Sequence, residues 1–520
     1  MPDTPHDPVK HKVALKVIKR GMDTKQVVAR SEAVAQPNSR DAWRKRSSKT
    51  ERVFLALTLC LILPACVERN EDAAVSPAVE ATPPEMTDLD RYVLAEDPSY
   101  AYEHVRTLEG EGWAAYVLKM TSQTWRSPDE VDHTVWWHWL TIIVPDTVKS
   151  EVGMLYLTGG RNTERPPEEP DSERLRYALA TRTVVADLRQ VPNQPLTFAD
   201  DGEPLRESEL IAYAWDKYLR SGDSTWLPRL PMTKSAVRAM DTVTSFCSSP
   251  EGGELIVNRF VVAGRSKRGW TAWTTAAVDD RVVAIVPMII DLLNMEESFT
   301  HHYEAYGSWS PVIDGYVNRG IPDWFGTEQF GSLARIVEPF NYRSRFTMPK
   351  LLINATGDLF FLPDSSRFYF DDLPQEKHLR YLPNSGHSIG RTDALDTLLA
   401  FYWAIVNDAP RPVFSWTFEP DGSIRVRNQG PIEPEQILLW QASNAEARDF
   451  RIDKIGKAWT SSILVPGDDG SIVGKVDPPA SGWTGFFVEL TFPGGGPYPL
   501  KLTTEVRVLP DTLPYTLGKD

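Results

Sequence analysis

A strand that runs into a glycine-bounded serine turn, and then into a helix, constrains the fold of this chain more than any other feature. The segment is NRFVVAGRSKRGWTAW, with an apolar run at 260–263 and the turn from Gly264 to Gly269. A serine at so sharp a turn needs small neighbours, because its strained backbone brings helix and strand together. The pattern is GxSxxG, one residue longer than the common GxSxG, and alone it also fits an ordinary strand-to-helix loop. It predicts that Ser266 stands at the end of a strand in an α/β sheet.

The surrounding region, residues 89–408, alternates apolar runs with helical patterns. This rhythm predicts a doubly wound, mostly parallel sheet that opens with an antiparallel strand pair. Strands are predicted at 113–125, 134–144, 152–158, 182–187, 257–263, 281–288, 349–355 and 378–382. Helices are predicted at 171–180, 206–220, 232–246, 266–278, 364–371 and 391–406.

One acidic and one basic residue follow predicted strands, in the order along the chain that a catalytic serine requires. Asp358 follows strand 349–355, and His387 follows strand 378–382. The order Ser266, Asp358, His387 is that of the α/β-hydrolases, in which histidine takes the serine proton and the aspartate holds the imidazole tautomer. Asp291 and Asp364 are alternative acids, and Asp291 follows the preceding strand. The fold class predicted is therefore an α/β-hydrolase.

The oxyanion of such a reaction needs two N–H donors. The residue after the nucleophile, Lys267, supplies the first, and Gly160 or Arg161, in the turn after strand 152–158, supplies the second. Lys267 and Arg268 either favour an anionic substrate, assist the oxyanion or form a surface salt bridge. Arg265, beside the serine, is a further candidate for substrate binding.

An insertion rich in aromatics and glycine occupies about 292–347, where hydrolases carry a helical cap. Its side chains either line a substrate cleft or simply pack the insertion, and the candidates for substrate binding are His301, Tyr303 and Trp309. After residues 408–412 short alternating runs are broken by DG, PG and GGG turns. That pattern predicts a C-terminal all-β, sandwich-like domain over 411–515.

The N-terminal residues 1–66 resemble an export signal. Basic residues precede the uncharged stretch VFLALTLCLILPA at 53–65, which has the length of a signal-peptide core and is short for a membrane span. The following Cys66 completes a sequence that resembles a bacterial lipobox, although a plain secretory signal or a signal anchor fits too. Residues 67–88 read as a disordered tether. We expect a membrane-anchored lipoprotein that faces the periplasm, at the outer membrane because Val67 rather than Asp follows the cysteine.

Composition excludes several other functions. A formal charge of −15 argues against sequence-independent nucleic-acid binding. Without a GxGxxG or GxxxxGK[ST] motif no nucleotide cofactor is predicted, and without paired-His or CxxC spacing no metal site is predicted. Beyond the signal Cys247 is the single thiol, so no disulfide is expected within one mature chain. Oligomeric state is not predicted.

Several longer segments carry a family resemblance. VPNQPLTF at 191–198, LPMTKSAVRAMD at 230–241, GRSKRGWTAW at 264–273, IVPMIIDLLN at 285–294 and the NATGDLFFLPD stretch resemble the PhoPQ-activated pathogenicity-related protein family. The resemblance spans about 85–510. It implies an exported α/β-hydrolase-like domain with a C-terminal β domain, associated by name with a bacterial two-component regulon, and a small residue where this chain has Arg265.

These patterns together predict a serine hydrolase, either esterase or peptidase, that acts through an acyl-enzyme on a small-molecule, peptide or glycan substrate. Two alternatives stay open. One is a carbohydrate esterase of the glucuronoyl type, in which an acidic sugar would meet Lys267 or Arg268. The other is a binding or signalling protein that kept the hydrolase fold and lost turnover.

Overall fold

The computed structural model describes residues 86–390, 392–496 and 498–518. The predicted signal segment, Cys66 and nearly all of the tether lie outside the described residues. The strands are β1 (Ala101–Gly110), β2 (Trp113–Thr124), β3 (Val135–Pro145), β4 (Val152–Leu157), β5 (Val185–Leu188), β6 (Leu196–Thr197), β7 (Pro204–Leu205), β8 (Arg259–Arg265), β9 (Val282–Met288), β10 (Lys350–Ala355), β11 (Lys377–Leu382), β12 (Phe414–Phe418), β13 (Ile424–Asn428), β14 (Gln436–Asn444), β15 (Thr460–Ile463), β16 (Ile472–Gly474), β17 (Trp483–Phe492), β18 (Leu500–Thr503) and β19 (Arg507–Leu509). The α-helices are α1 (Asp88–Leu94), α2 (Ser172–Thr181), α3 (Glu207–Ser221), α4 (Arg229–Ser248), α5 (Lys267–Val278), α6 (Met295–Tyr306), α7 (Asp314–Val317), α8 (Glu328–Val337), α9 (Ala394–Val406) and α10 (Ile452–Ile455).

The central sheet has the strand order β1-β2-β3-β5-β4-β8-β9-β10-β11. Strands β5, β4, β8, β9, β10 and β11 are mutually parallel, and β1, β2 and β3 form an antiparallel entry. The parallel strands are buried along almost their whole length, as strands covered by helices on both faces must be. This arrangement confirms the α/β-hydrolase fold class.

Two hydrophobic cores cover the two faces of this sheet. One lies under α1, α3, α4 and α5 and contains the buried side chains of Trp125, Trp136, Trp215, Trp270 and Trp273. The other lies under α2 and α9. Between β9 and β10 the insertion predicted over about 292–347 is helical, with α6, α7 and α8 joined by 3-10 turns.

The C-terminal strands form a sandwich-like region and also extend the central sheet. The small sheet β12-β13-β16 packs on β14 and β17, which is the sandwich-like arrangement predicted. The larger sheet, however, continues the central sheet, because β18 pairs antiparallel with β11. The buried ion pair between Arg380 of β11 and Glu489 of β17 spans this junction. The C-terminal region is therefore joined edge to edge to the strand that leads to His387.

Several elements differ from the sequence prediction, among them α1, β1 and the segment 364–371. Strand β1 was not predicted, because it is largely exposed and lacks the apolar alternation that marks a half-buried strand. The helix predicted over 364–371 is a single 3-10 turn, Ser365–Phe368. There the carboxylate of Asp364 is engaged by His301 and Arg448 and does not cap a helix.

Candidate active site

The serine turn closes through its two glycines. Ser266 lies between β8 and α5 with φ 54° and ψ −123°, a strained conformation for a residue with a side chain. A methyl group on Gly264 would come within 2.5 Å of the Arg268 carbonyl oxygen. One on Gly269 would come within 3.0 Å of the Gly264 oxygen and 2.8 Å of Ile290. The second glycine, three residues after the serine, is thus the position at which this helix crosses its strand.

Ser266, His387 and Asp358 form one hydrogen-bonded chain. Ser266 Oγ is 3.0 Å from His387 Nε2, and His387 Nδ1 is 2.8 and 3.0 Å from the two Asp358 oxygens. Because the carboxylate can only accept, Nδ1 donates to it and Nε2 accepts from the serine hydroxyl. All three side chains follow the carboxyl ends of parallel strands, β8, β10 and β11. The topology therefore brings together residues that are far apart in sequence.

The two alternative acids have other partners. Asp291 is fully buried and accepts hydrogen bonds from the hydroxyls of Tyr369, at 2.5 Å, and Tyr381, at 2.6 Å. Burial raises the pKa of Asp291 to about 8, although these hydrogen bonds oppose the shift. Asp364 pairs with Arg448 at 2.5 Å and with His301 at 3.1 Å. Of the three candidate acids, Asp358 is the one that contacts His387.

The structure favours one pair of N–H donors for the oxyanion. Lys267 begins α5, so its N–H lies at the positive end of a helix dipole. The N–H of Arg161 donates to Glu164 Oε1 at 3.0 Å and is already used. Gly160 lines the cavity beside Ser266. Lys267 and Gly160 are therefore the better candidate pair, because the N–H of Arg161 already has an acceptor.

Ser266 opens onto two cavities. An open cleft of about 490 Å³ lies on one side and is also lined by Gly160, Arg265 and His387. A narrow arm of about 30 Å³ lies on the other side, among mostly apolar and aromatic side chains. Its cap residues are Phe299, Ile313 and Tyr316.

The three cap residues predicted to bind substrate line neither cavity. His301 is buried against Asp364 and Arg448, and Tyr303 and Trp309 pack on each other with ring centroids 5.1 Å apart. Of the two roles predicted for these side chains, the contacts show packing within the insertion, and substrate binding by them stays a prediction. An amphipathic pattern cannot separate these two roles.

Glu207 is a site residue that sequence reasoning missed. It has φ 49°, lines the cleft and accepts from Arg268 Nη1 at 2.9 Å, while Lys267 Nζ lies at 3.6 Å. Burial alone would raise the pKa of Glu207, but the two cations lower it to about 2. Arg268 thus forms a salt bridge rather than a free substrate contact. Nothing around Glu207 in the sequence distinguishes it from an ordinary first-turn acid.

Residues 445–459 of the C-terminal region contact both loops that carry the acid and the base. The N–H of Ile452 donates to the Gly357 carbonyl at 3.0 Å, next to Asp358. The amide of Asn384 exchanges two hydrogen bonds with the main chain of Trp459, at 2.8 and 2.9 Å. A methyl group on Gly386 would come within 3.0 Å of Ile452. We call this segment the C-terminal clamp.

Over 86–518, apart from 391 and 497, no group of three or more His, Cys, Asp and Glu side chains is placed to hold a metal ion. In the same part of the chain no helix has the length and apolarity needed to cross a membrane.

The chain is similar to several known proteins. Residues 89–451 match the family model described as PhoPQ-activated pathogenicity-related protein. The chain is 37% identical over 458 residues to autocrine proliferation repressor protein A of Dictyostelium discoideum, covering 82% of this chain and 92% of that protein. It is also similar to two solved structures. Acetyl xylan esterase 1 of a Thermoanaerobacterium species has a TM-score of 0.43 at 16% identity, over 61% of this chain and 93% of that one. A glucuronoyl esterase of Solibacter usitatus has a TM-score of 0.36 at 15% identity, over 59% and 86%.

Proposed function

The chain belongs to the PhoPQ-activated pathogenicity-related protein family, and we propose that it is a serine hydrolase that cleaves esters or peptides through an acyl-enzyme on Ser266. The observation that carries the proposal is the hydrogen-bonded chain from Ser266 Oγ through His387 to Asp358, with distances of 2.8 to 3.0 Å. These are distances at which proton transfer is direct.

In the first half-reaction Ser266 Oγ attacks the substrate carbonyl while His387 Nε2 takes the hydroxyl proton. Asp358 stabilises the imidazolium that forms. The N–H groups of Lys267 and Gly160 would bind the oxyanion of the tetrahedral intermediate. The intermediate then collapses, the bond to the alcohol or amine breaks, and His387 returns its proton to that leaving group. An acyl ester on Ser266 remains.

In the second half-reaction water attacks the acyl ester and gives a proton to His387. Collapse of this intermediate breaks the bond to Ser266 Oγ, which recovers a proton from His387. The products are a carboxylic acid and the alcohol or amine already released. The free enzyme is regenerated.

Labelling with a neutral alkyl fluorophosphonate tests the proposal. The full chain should gain the mass of one phosphonyl group, and Ser266→Ala and His387→Ala should each abolish the adduct. Ser332→Ala, on α8, is the matched control and should label like the wild type. An unlabelled wild-type protein whose circular dichroism shows an intact fold would instead favour a binding protein.

We also propose that the protein is exported and anchored by lipid on Cys66, facing the periplasm at the outer membrane. The support is the basic flank, the uncharged stretch at 53–65 and the Leu-Pro-Ala-Cys sequence that ends it. In a bacterial host, intact mass should show cleavage before Cys66 and a diacylglyceryl adduct. Cys66→Ser should lose the adduct, and unmodified wild-type protein would refute the anchor.

A further inference from the structure

The walls around Ser266 are cationic, although the whole chain carries −15. Of the acidic residues, Glu207 alone is among the residues of the described chain that line the two cavities. The cations that line them are Arg174, Arg229, Arg265, Lys267 and Arg268. A cleft of one sign in a chain of the other sign concentrates ligands of opposite charge.

Some of these cations are neutralised by the protein. Arg174 pairs with Asp171 at 3.0 Å and with Asp187 at 3.8 Å. Arg268 binds the Glu207 carboxylate through two nitrogens. Lys267 Nζ lies farther from the same carboxylate, at 3.6 Å. The buried ammonium group of Lys267 thus shares its one counter-ion, Glu207, with Arg268.

Arg229 has no counter-ion in the described part of the chain. It is 3% exposed, begins α4 and reaches into the narrow arm beside Ser266. Its Nη1 donates to the Lys267 carbonyl at 3.0 Å and its guanidinium lies over the Trp270 ring at 4.4 Å. Its Nε is buried without a hydrogen-bond partner among the described residues. Burial lowers the pKa of Arg229 to about 10, which leaves it charged at neutral pH.

A buried charge without a partner is costly, so a protein that keeps one usually pairs it with something else. Holding the Lys267 carbonyl does not require a charge, because a neutral amide donates as well. The narrow arm has about 30 Å³ of free space, room for roughly two water-sized groups. Two oxygens of a carboxylate fill that space, and a phosphate is larger.

We propose that the substrate carries a carboxylate close to its scissile carbonyl, and that Arg229, assisted by Lys267, binds this carboxylate in the narrow arm. Planar guanidinium groups suit carboxylates because they can donate two parallel hydrogen bonds. Arg229 Nη1 bonds to the residue next to the nucleophile, so the carboxylate lies within a few bonds of the reacting carbon. Such substrates are half-esters of short dicarboxylic acids, or acyl esters of short hydroxy acids. This inference rests on the proposed hydrolase function.

Two matched ester pairs test the inference in the full chain. Methyl hydrogen malonate against methyl propionate places the charge in the acyl part, and acetoxyacetate against ethyl acetate places it in the alcohol part. Hydrolysis is followed by titration, and each kcat/KM is divided by the hydroxide-catalysed rate of the same ester. We expect the wild type to prefer the charged member of at least one pair by about tenfold or more. The preferred pair shows which part of the substrate carries the carboxylate.

Arg229→Gln keeps a donor for the Lys267 carbonyl and removes the charge. It should reduce the preference to about one, mainly by raising KM for the charged ester, so the loss of kcat/KM on the charged ester should exceed the loss on the neutral ester by about tenfold. Arg229→Lys should restore part of the preference. Arg335→Gln is the matched control, because it removes the same charge from the exposed side of α8 and should change neither constant.

The outcomes separate this inference from the proposed function. A wild type that labels with the neutral fluorophosphonate but shows no preference within either pair would overturn the inference and keep the hydrolase. An equal loss on charged and neutral esters in Arg229→Gln, with its melting temperature unchanged, would assign Arg229 to the oxyanion or to packing and also overturn it. An unlabelled wild type would remove the hydrolase itself.

Discussion

The serine turn and the acid–base pair are built in opposite ways. The turn is closed by neighbours in sequence, since Gly264 lies against the main chain of Arg268 and Gly269 lies against the carbonyl of Gly264. The loops of Asp358 and His387 are held from outside, by the C-terminal clamp at Gly357 and Asn384. The hydrogen bond between Ser266 and His387 therefore joins a turn closed by local contacts to a loop supported by a distant part of the chain. Damage to the C-terminal region should therefore impair the base and leave the nucleophile turn intact.

The largest effect should come from the acid itself. Asp358→Asn leaves His387 without the carboxylate that fixes its tautomer, and kcat should fall about 10³- to 10⁴-fold. Asp291→Asn is the matched control, because Asp291 is also a buried acid after a parallel strand but bonds to Tyr369 and Tyr381. It should cost less than about tenfold. Steady-state kinetics on one ester decides between them, and equal losses would contradict the assignment.

The next largest effect should come from a side chain that disrupts the tightly closed serine turn. Gly264→Ala places a methyl group 2.5 Å from the Arg268 carbonyl oxygen, a main-chain atom that cannot move away alone. We expect the free energy of unfolding to fall by about 2 to 3 kcal/mol, measured by urea denaturation. Gly390→Ala, where nothing lies within 4 Å of the added methyl, should change it by less than about 0.5 kcal/mol. An unaffected Gly264 variant would mean that the turn is not tightly closed.

Loosening the clamp should have a smaller effect, confined to the base. Asn384→Gly tolerates the positive φ of 56° and removes both hydrogen bonds to Trp459. We expect kcat and the rate of fluorophosphonate labelling to fall about tenfold together, with KM within about twofold. Asn384→Asp keeps one of the two bonds and should recover part of the loss.

Asn428→Gly is the matched control for the clamp. It removes a side-chain hydrogen bond to the Ile432 carbonyl within the C-terminal region, away from the clamp. Its kinetics should match those of the wild type. If both asparagine variants lost activity equally, the C-terminal region would stabilise the whole protein rather than support the base.

The last effect concerns the pH dependence of stability rather than activity. The folded pKa of Asp291 is about 8, above its ordinary value of 3.8, so between these values the folded state holds a proton that the unfolded state has lost. Its contribution to stability is therefore present at low pH and is lost as pH rises from about 4 to 8. Asp291→Asn should flatten this fall by up to about 1 kcal/mol per pH unit. Thermal melts from pH 5 to 8 check it, and parallel curves for the two proteins would refute it.

The sequence predicted the parts of this site that depend on local order. The strand-turn-helix at Ser266 and the positions of Asp358 and His387 after strands could be read directly, because strand ends and turns leave a pattern in neighbouring residues. The same reasoning did not find Glu207 or Arg229. A buried ion on a helix has the same sequence neighbours as an exposed one, so its role is visible only once the packing is known.

The cap shows this limit most clearly. The cap was predicted from its aromatic and glycine-rich composition, and a helical insertion is present. His301 and Trp309, however, pack within the insertion, whereas Phe299 and Tyr316 line the narrow arm. Which face of an aromatic helix meets the cavity depends on how the insertion lies over α3 and α5. No periodicity within the insertion contains that information.

The α/β class, the serine turn, the order of the three polar residues and the β character of the C-terminal region could all be predicted from the amino-acid sequence. Each of them leaves a pattern in the type and order of residues along the chain. Tertiary structure alone decided that β18 extends the central sheet from β11, that Asp358 rather than Asp291 reaches His387, and that the clamp supports both loops. Those contacts join residues from 29 to about 124 positions apart, and the free energy that selects them comes from packing and burial across the whole fold.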